Sequence, residues 1–202
     1  MKKVLIGAVV GGLIIFIWQF LSFALVNFHK PAQNYTDKQE AIMNFLNSQG
    51  LEEGGYVMPS LPESATMDEH NQAMKAAEGK PWAVLQYHSR QEDVQSGMIM
   101  NMIRGVLVNI VLVWLFCWIV SKMAVPSFNT ILLASLATGL IVFFNAPYTG
   151  HIWYKTFDIW AFFMDAIVCW GLVGLWLGWW LRRGTARTTP VRTQDRRTEM
   201  VS

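Results

Sequence analysis

Apolar residues in this chain are concentrated in four long stretches, and polar residues are collected between them. A helix that crosses a bilayer needs about 20 mostly apolar residues. Four stretches reach that length, at residues 4–26, 97–121, 128–146 and 157–181. The second is interrupted by Arg104, and the third stops at Pro147, a residue that breaks helices. The pattern therefore predicts an all-α membrane protein with four transmembrane helices.

The long polar segment at residues 28–98, here called the cap, carries helix signals of its own. Thr36 and Gln39 match a capping box, and Gly50 matches a helix stop. One face of the helix between these signals would be apolar, formed by Ile42, Phe45 and Leu46. A first cap helix is therefore predicted.

The second half of the cap repeats this scheme. Thr66 and Glu69 form a second candidate capping box, and Gly79 marks the end of a second helix. The stretches "GGYVMPSLP" and "PWAVLQYHS" are typical of short extended segments and predict a two-stranded hairpin. The resulting α(+β) cap would have a thin core, so we expect it to pack on the membrane surface or on a partner.

Basic residues lie mostly at one end of the predicted spans. Loops on the cytoplasmic side of a membrane are enriched in Lys and Arg. The residues at this end are Lys2, Lys3, Lys122, Arg182, Arg183, Arg187, Arg192, Arg196 and Arg197. The cap instead holds ten acidic residues against five basic ones. Both termini are therefore predicted to be cytoplasmic and the cap extracytoplasmic.

Composition agrees with this class of protein. The chain is 53% hydrophobic and 15% charged, whereas ordinary globular domains are roughly 25% charged. The first apolar stretch is too long for a typical signal peptide and has no clear cleavage site after it, which favours a retained signal anchor. Cys117 and Cys169 lie inside apolar stretches, so we expect buried thiols rather than a disulfide.

A few polar residues interrupt the spans. Asp158 and Asp165 are seven residues apart and share one helix face, and Arg104 would enter the membrane from the same side. Asn109 and Asn145 complete a predicted intramembrane polar cluster. One hypothesis makes Asp165 a proton or cation relay. The other, favoured because the cytoplasmic halves of the spans are nearly free of ionisable groups, pairs Arg104 with Asp165, or with Asp158, to hold two helices together.

Small and aromatic residues predict how the helices pack and how they sit in the bilayer. Two G-x-x-x-G motifs, which let helix backbones approach closely, are formed by Gly7 with Gly11 and by Gly174 with Gly178. The motifs leave open whether the contact is within the chain or with another subunit. Interfacial aromatic belts are expected at Tyr148, Trp153, Tyr154 and Trp160, and at Trp176, Trp179 and Trp180.

Motifs for catalysis or cofactor binding are missing from the sequence. It contains no P-loop, nucleophile elbow or dinucleotide fingerprint. The cap histidines, His29, His70 and His88, lack metal-ligand spacing, and Asp68, Glu69 and His70 are contiguous, so they point in different directions on a helix. A haem bundle would need histidines inside the spans, and His151 lies in a loop. We therefore expect no enzyme activity, no metal, no cofactor and no nucleic-acid partner.

The stretches "GKPWAVLQYH", "APYTGHIWY" and "DAIVCWGLVGLWLGWW" carry a resemblance. In the order of its segments and in its Trp- and Gly-rich sequence, the chain resembles small four-span bacterial integral membrane proteins of uncharacterised function. The resemblance covers residues 1–183. The resemblance implies a bacterial cytoplasmic (inner) membrane and transfers no catalytic residues.

The predicted organisation has four parts: a first transmembrane helix at 1–27, the cap at 28–98, transmembrane helices two to four at 99–183, and a disordered basic cytoplasmic tail at 184–202. Its partners would be the lipid bilayer and other membrane-protein subunits. The leading functional hypothesis is a non-catalytic accessory or assembly subunit of a larger membrane complex. The alternative is a small transporter or ion-coupled carrier that uses Asp165.

Overall fold

The protein is mostly helical and contains four helices that are long and apolar enough to cross a membrane. The computed structural model describes residues 2–91 and 93–183, so the predicted tail at 184–202 lies outside the described residues. The four candidate spans are Lys2–Leu25, Val94–Val120, Phe128–Trp153 and Ile159–Trp180. The prediction of four spans is therefore confirmed, and the fold is compatible with a multi-pass membrane protein.

The elements follow one another along the chain in an order close to the predicted one. The helices are α1 (Lys2–Phe20, prolonged by a π-helical turn at Leu21–Leu25), α2 (Gln39–Ser48), α3 (Met67–Ala77), α4 (Val94–Val120), α5 (Phe128–Phe143), α6 (Thr149–Trp153) and α7 (Ile159–Trp180). The strands are β1 (Gly54–Met58) and β2 (Ala83–Tyr87), and a short 3-10 turn spans Lys30–Ala32. The end of the long helices that is next to the cap is called the cap end, and the opposite one the terminus end.

Within the helical bundle, α1 and α7 occupy the middle. The helix α1 packs against both α4 and α7, and α5 packs against the other side of α7. Phe116 of α4 also reaches the ring of Trp170 on α7, with ring centroids 5.7 Å apart. The buried core consists of Ile15, Val113, Phe116, Cys117, Val120, Ile131, Cys169, Trp170, Val173 and Leu177. Both cysteines are free and buried, as predicted.

The glycines of the predicted packing motifs lie at contacts between helices of this chain. Gly7 faces Leu177 of α7, and Gly11 faces Val113 of α4. On α7, Gly174 lies against Leu132 and Ser135, and Gly178 lies against Phe128, all of which belong to α5. Because a side chain at these positions would collide with a neighbouring helix, the glycines set the short distances between helix axes.

At the terminus end, tryptophans join α1 to α7 by hydrogen bonds. The indole N–H of Trp176 donates to the carbonyl of Gly7 at 3.2 Å, and that of Trp180 donates to the carbonyl of Lys3 at 2.8 Å. The ammonium group of Lys3 donates to the carbonyl of Leu181 at 2.7 Å. Part of the predicted aromatic belt therefore packs within the chain.

The third span passes through Pro147 instead of stopping there. A π-helical turn at Phe144–Tyr148 contains the proline, and helix resumes in α6 up to Trp153. Proline removes one backbone donor and crowds the preceding turn, and a widened π turn relieves that crowding. The hydroxyl of Thr149 donates to the carbonyl of Phe144 at 2.7 Å. The predicted end of the helix at residue 146 is therefore wrong.

The cap contains the two predicted helices and a two-stranded antiparallel sheet. Strand β1 pairs with β2 from Gly54 opposite Tyr87 to Met58 opposite Ala83. The helix α3 lies in the connection between the strands, so they do not form a hairpin. Tyr87 is the buried residue of this sheet, and its hydroxyl donates to the side-chain oxygen of Asn47 on α2 at 2.5 Å.

Of the two predicted capping boxes, one is confirmed. Thr66 caps α3, and the carboxylate of Glu69 accepts a hydrogen bond from the Thr66 backbone N–H at 2.7 Å. The box at Thr36 is wrong, because α2 has Lys38 at its N-cap and no side-chain cap there. The hydroxyl of Thr36 instead accepts from the backbone N–H of Lys38 at 3.2 Å, a local turn that competes with capping. Both helices end before a glycine with positive φ, Gly50 and Gly79.

Candidate functional site

The chain turns back sharply at the cap end of α1 and buries a histidine. Asn27 follows the C-cap residue Val26 and has φ 53°, a conformation that asparagine tolerates just after a helix. The backbone N–H of Phe28 then donates to the carbonyl of Ser22 at 3.0 Å. This reversal carries the next residue, His29, back into the bundle, where its side chain is completely buried.

The imidazole of His29 lies between two carboxylates of the fourth span. Its Nδ1 is 2.7 Å from Oδ2 of Asp158, and its Nε2 is 3.1 Å from Oδ2 of Asp165. Asp158 immediately precedes α7 and Asp165 lies two turns into it, so the seven-residue spacing lets one ring bridge both acids. Both aspartates are buried, with 8% and 9% of their surface exposed.

The site is enclosed by aromatic rings. Phe23 stacks on the imidazole with ring centroids 3.6 Å apart and an angle of 7° between the planes. Phe162 meets the imidazole edge-on at 4.7 Å. The indole N–H of Trp18 donates to Oδ1 of Asp165 at 2.9 Å, which leaves that carboxylate with a partner on each oxygen. His29, Asp158, Asp165 and Trp18 are together called the His29 cluster.

Two polar atoms beside this turn are buried without a hydrogen-bond partner in the described part of the chain. They are the hydroxyl oxygen of Ser22, whose residue is fully buried, and Oδ1 of Asn27. Ser22 lies one helical turn beyond Trp18 on the same face of α1. An unpartnered buried hydroxyl costs about 1–3 kcal/mol. The cap end of α1 thus contains two buried polar atoms whose hydrogen-bonding capacity is not satisfied by the described side chains around them.

Arg104 is not a member of this cluster, so the expected pair with Asp165 or Asp158 is wrong. Its side chain is exposed, and both described salt bridges of the acids are made with His29. The physical reason is the helix order: α4 packs mainly against α1. Its contact with α7 through Phe116 and Trp170 lies about three helical turns along α4 from Arg104. The neighbouring Gly105 faces Phe16 of α1.

The two asparagines of the predicted cluster lie elsewhere. Asn109 is buried and its side-chain amide donates to Oε1 of Gln19 at 2.8 Å, linking α4 to α1. Asn145 lies in the π turn of the third span with an exposed side chain. The polar groups of the spans therefore form two separate links, one from α1 to α7 and one from α1 to α4.

Sequence reasoning missed His29, Trp18 and Gln19. The sequence pattern places His29 in the polar cap, because it follows the first apolar stretch. One signal was available: asparagine immediately after a helix is a stop signal that often reverses the chain. A reversal at Asn27 would return His29 toward the helices, although the sequence does not say which helix it meets.

The chemistry that this arrangement allows is hydrogen bonding and proton exchange. In residues 2–91 and 93–183, no group of three or more His, Cys, Asp and Glu side chains is placed to hold a metal ion. Both ring nitrogens of His29 face carboxylate oxygens instead. No protein-family model matches the chain, and no curated protein or solved structure is significantly similar to it. Its function therefore has to be inferred from its own geometry.

Proposed function

We propose that the protein is a non-catalytic integral membrane protein, an accessory or assembly subunit of a larger complex in a bacterial cytoplasmic membrane. Both termini would be cytoplasmic, and the cap would dock on another subunit outside the membrane. The observation that carries this proposal is the apolar surface that the cap leaves uncovered.

That surface is formed by large side chains on several elements of the cap. Neither α2 nor α3 has a buried residue. The exposed large apolar side chains of the cap include Ile42 (48%), Phe45 (62%), Met67 (75%), Met74 (71%) and Trp82 (53%). Fully burying one such side chain is worth about 1.5–3 kcal/mol, so a partner that covers them gains a substantial part of its binding energy.

A cleft in the cap would receive part of this partner. It has a volume of about 620 Å³, and its lining includes Met43 and Leu46 of α2, Leu85 and Tyr87 of β2, and the titratable residues Glu53, His88 and Arg90. The cap as a whole carries ten acidic and five basic residues. We therefore propose as occupant the extracytoplasmic part of another membrane protein, with an apolar projection surrounded by basic residues.

Photo-crosslinking from native membranes tests this docking. A photoreactive amino acid at Phe45 or at Ile42 should capture the same stoichiometric subunit that co-purifies in mild detergent. The same probe at Asp68, an exposed polar position on α3, serves as the matched control. Phe45→Glu should reduce co-purification while the four spans stay folded. A protein that always purifies alone, with Phe45→Glu behaving like the native chain, contradicts the proposal.

A second candidate function is an ion-coupled carrier that uses Asp165. It is favoured by the burial of Asp165 beside His29, because ionisable groups inside membranes usually belong to ion pathways. A carrier needs polar or titratable groups along its whole path across the membrane. In the described spans, the buried titratable groups beyond Asp165 toward the terminus end are the thiols of Cys117 and Cys169 alone, which disfavours this function.

Flux measurements separate the two functions. Proteoliposomes under sodium and proton gradients should show no flux above empty vesicles if the protein is an accessory subunit. Flux that is abolished by Asp165→Asn and unchanged by Asp68→Asn, the matched change in the cap, would establish the carrier instead.

A further inference from the structure

The His29 cluster contains two hydrogen bonds between the imidazole and a carboxylate, and a single imidazole proton cannot supply both. A neutral imidazole has one N–H and one unprotonated nitrogen, whereas an ionised carboxylate only accepts. The contacts of 2.7 Å to Asp158 and 3.1 Å to Asp165 are both within hydrogen-bonding distance. Each of the two hydrogen bonds therefore needs a proton of its own, carried either by the ring or by one of the carboxyl groups.

We propose that His29, Asp158 and Asp165 form a proton-binding site. This site fastens the first residues of the cap, Phe28 and His29, here called the cap base, to α7 and releases them on deprotonation. With two protons on the three groups, the cluster carries one net negative charge. When one proton leaves to water, the net charge becomes −2, and one ring nitrogen presents a lone pair to a carboxylate lone pair. That contact becomes repulsive, so His29 and the turn before it should move away from α7.

Among the described residues, no other charged side chain bonds to His29, Asp158 or Asp165, and the thiol of Cys169 lies one turn beyond Asp165 on α7. The titratable groups that face the ring are Asp158 and Asp165 of α7, while α1 faces the site with Trp18 and Phe23. Lys30 follows in the chain with an exposed side chain, and Arg104 of α4 is exposed as well. The cluster therefore depends on its own protons for stabilisation.

The proton would exchange with one side of the membrane only. Asp158 lies at the start of α7, at the cap end, and retains 8% exposure. On the other side of Asp165, the path ends at the indole of Trp18 and the apolar core. The unpartnered hydroxyl of Ser22 lies at the cap end of α1, where water can enter when the turn moves. The site is thus a one-sided proton sensor and does not need transport across the membrane.

The proton count can be measured directly in the full chain in lipid nanodiscs. His70, His88 and His151 are replaced by Gln so that His29 is the remaining histidine, and nitrogen-15 NMR reports both ring nitrogens while infrared spectroscopy reports protonated carboxyl groups. At low pH, where the cap base is held against α7, we expect either two ring N–H groups, or one ring N–H with one protonated aspartate. One ring N–H with both aspartates ionised would overturn the proposal.

Release of the cap base is measured by thiol labelling. In a chain with Cys117→Ala and Cys169→Ala, Ser22→Cys should be protected from a membrane-impermeant maleimide at low pH and become several-fold more reactive at high pH. The rate is divided by that of Ser48→Cys, an exposed cap position, to remove the intrinsic pH dependence of thiols. If the ratio is constant between about pH 5 and about pH 9, the release is refuted.

A matched variant distinguishes this mechanism from general loosening. In Asp158→Asn the amide can donate to an unprotonated ring nitrogen, so the contact between His29 and α7 no longer needs the second proton. Labelling of Ser22→Cys in this background should stay low throughout the pH range. Equal pH dependence in the native and Asp158→Asn backgrounds would overturn the proposal, whether or not the accessory function holds, because that function is tested at Phe45.

Discussion

His29 joins the end of the first span and the start of the cap to the fourth span. It follows the helix α1 by a few residues, begins the cap, and bonds to both acids of α7. Its burial between two carboxylates makes the three groups dependent on one another. Removing one partner of a buried ionic pair is strongly destabilising, because it leaves the other partner buried without compensation.

His29→Ala should therefore lower the free energy of unfolding by about 3–5 kcal/mol, since it leaves Asp158 and Asp165 without their shared partner. Thermal unfolding in mild detergent measures the loss. Arg104→Leu is the control: because the Arg104 side chain is exposed, its effect should stay within about 0.5 kcal/mol. A larger loss in Arg104→Leu than in His29→Ala would restore the pairing of Arg104 with the acids.

Half of this site could be predicted from the sequence. The spacing of Asp158 and Asp165 shows that they share a helix face, and their place in an apolar segment shows that they need a partner. The predicted partner of the two acids, Arg104, is wrong. The sequence favours Arg104 because it is the basic residue that interrupts an apolar stretch, whereas His29 lies outside one. Its burial depends on a chain reversal at Asn27, which is decided by tertiary packing.

At the scale of elements, close approach of helices depends on glycine where backbones nearly touch. A Cβ atom at Gly12 of α1 would lie 2.7 Å from the backbone Cα of Ile110 on α4. Rigid backbone cannot move aside as the end of a side chain can. The α1–α4 contact, which also holds the Asn109–Gln19 hydrogen bond, should therefore be sensitive to one added methyl group.

Gly12→Ala should destabilise the folded protein by about 1–3 kcal/mol, because overpacking forces the two helices apart. The matched control is Gly97→Ala in α4, where no atom lies within 4 Å of the added Cβ, and alanine there should be neutral or stabilise by up to about 1 kcal/mol. Unfolding midpoints in the same detergent compare the two. Equal midpoints would show that α1 and α4 do not approach as closely as described.

The helix α3 of the cap should have a pH-dependent first turn. The pKa of the Glu69 carboxyl lies below its ordinary value, because the backbone N–H and then the hydroxyl of Thr66 donate hydrogen bonds to the carboxylate. A carboxyl whose pKa is lowered by folding stabilises the fold above its unfolded pKa. That stabilisation is lost as the pH falls through the folded pKa.

Acidification from about pH 7 to about pH 3 should therefore reduce hydrogen-exchange protection at the start of α3, after correction for intrinsic exchange rates. Glu69→Gln should retain part of the cap at both pH values and lose most of the pH dependence. Thr66→Ala should weaken the helix at both, by roughly 1 kcal/mol. A Glu69→Gln chain that loses protection on acidification as the native chain does would exclude the capping box as the cause.

For the whole molecule, hydropathy predicted the four spans because lipid demands long apolar helices whose backbone groups bond within the segment. The lateral order of the helices was not predictable in the same way. The long helices are apolar on most faces, and only contacts such as Gly12 against Ile110, or Trp180 against the carbonyl of Lys3, select neighbours. The cap elements were predictable from glycine and threonine signals, except that Thr36 forms a local turn.

The same end of the bundle carries both described termini of the chain, so one topology experiment tests every span together. If the basic residues place that end in the cytoplasm, a cysteine at Glu52 in the cap should react with an impermeant maleimide in intact cells. A cysteine at Lys122, between the second and third spans, should react only after the membrane is permeabilised. The native cysteines are first replaced by alanine, which their burial permits without exposing a new polar group. Labelling at Lys122 in intact cells, with Glu52 protected, would show that the protein has the opposite orientation in the membrane. The His29 cluster would then lie at the cytoplasmic surface.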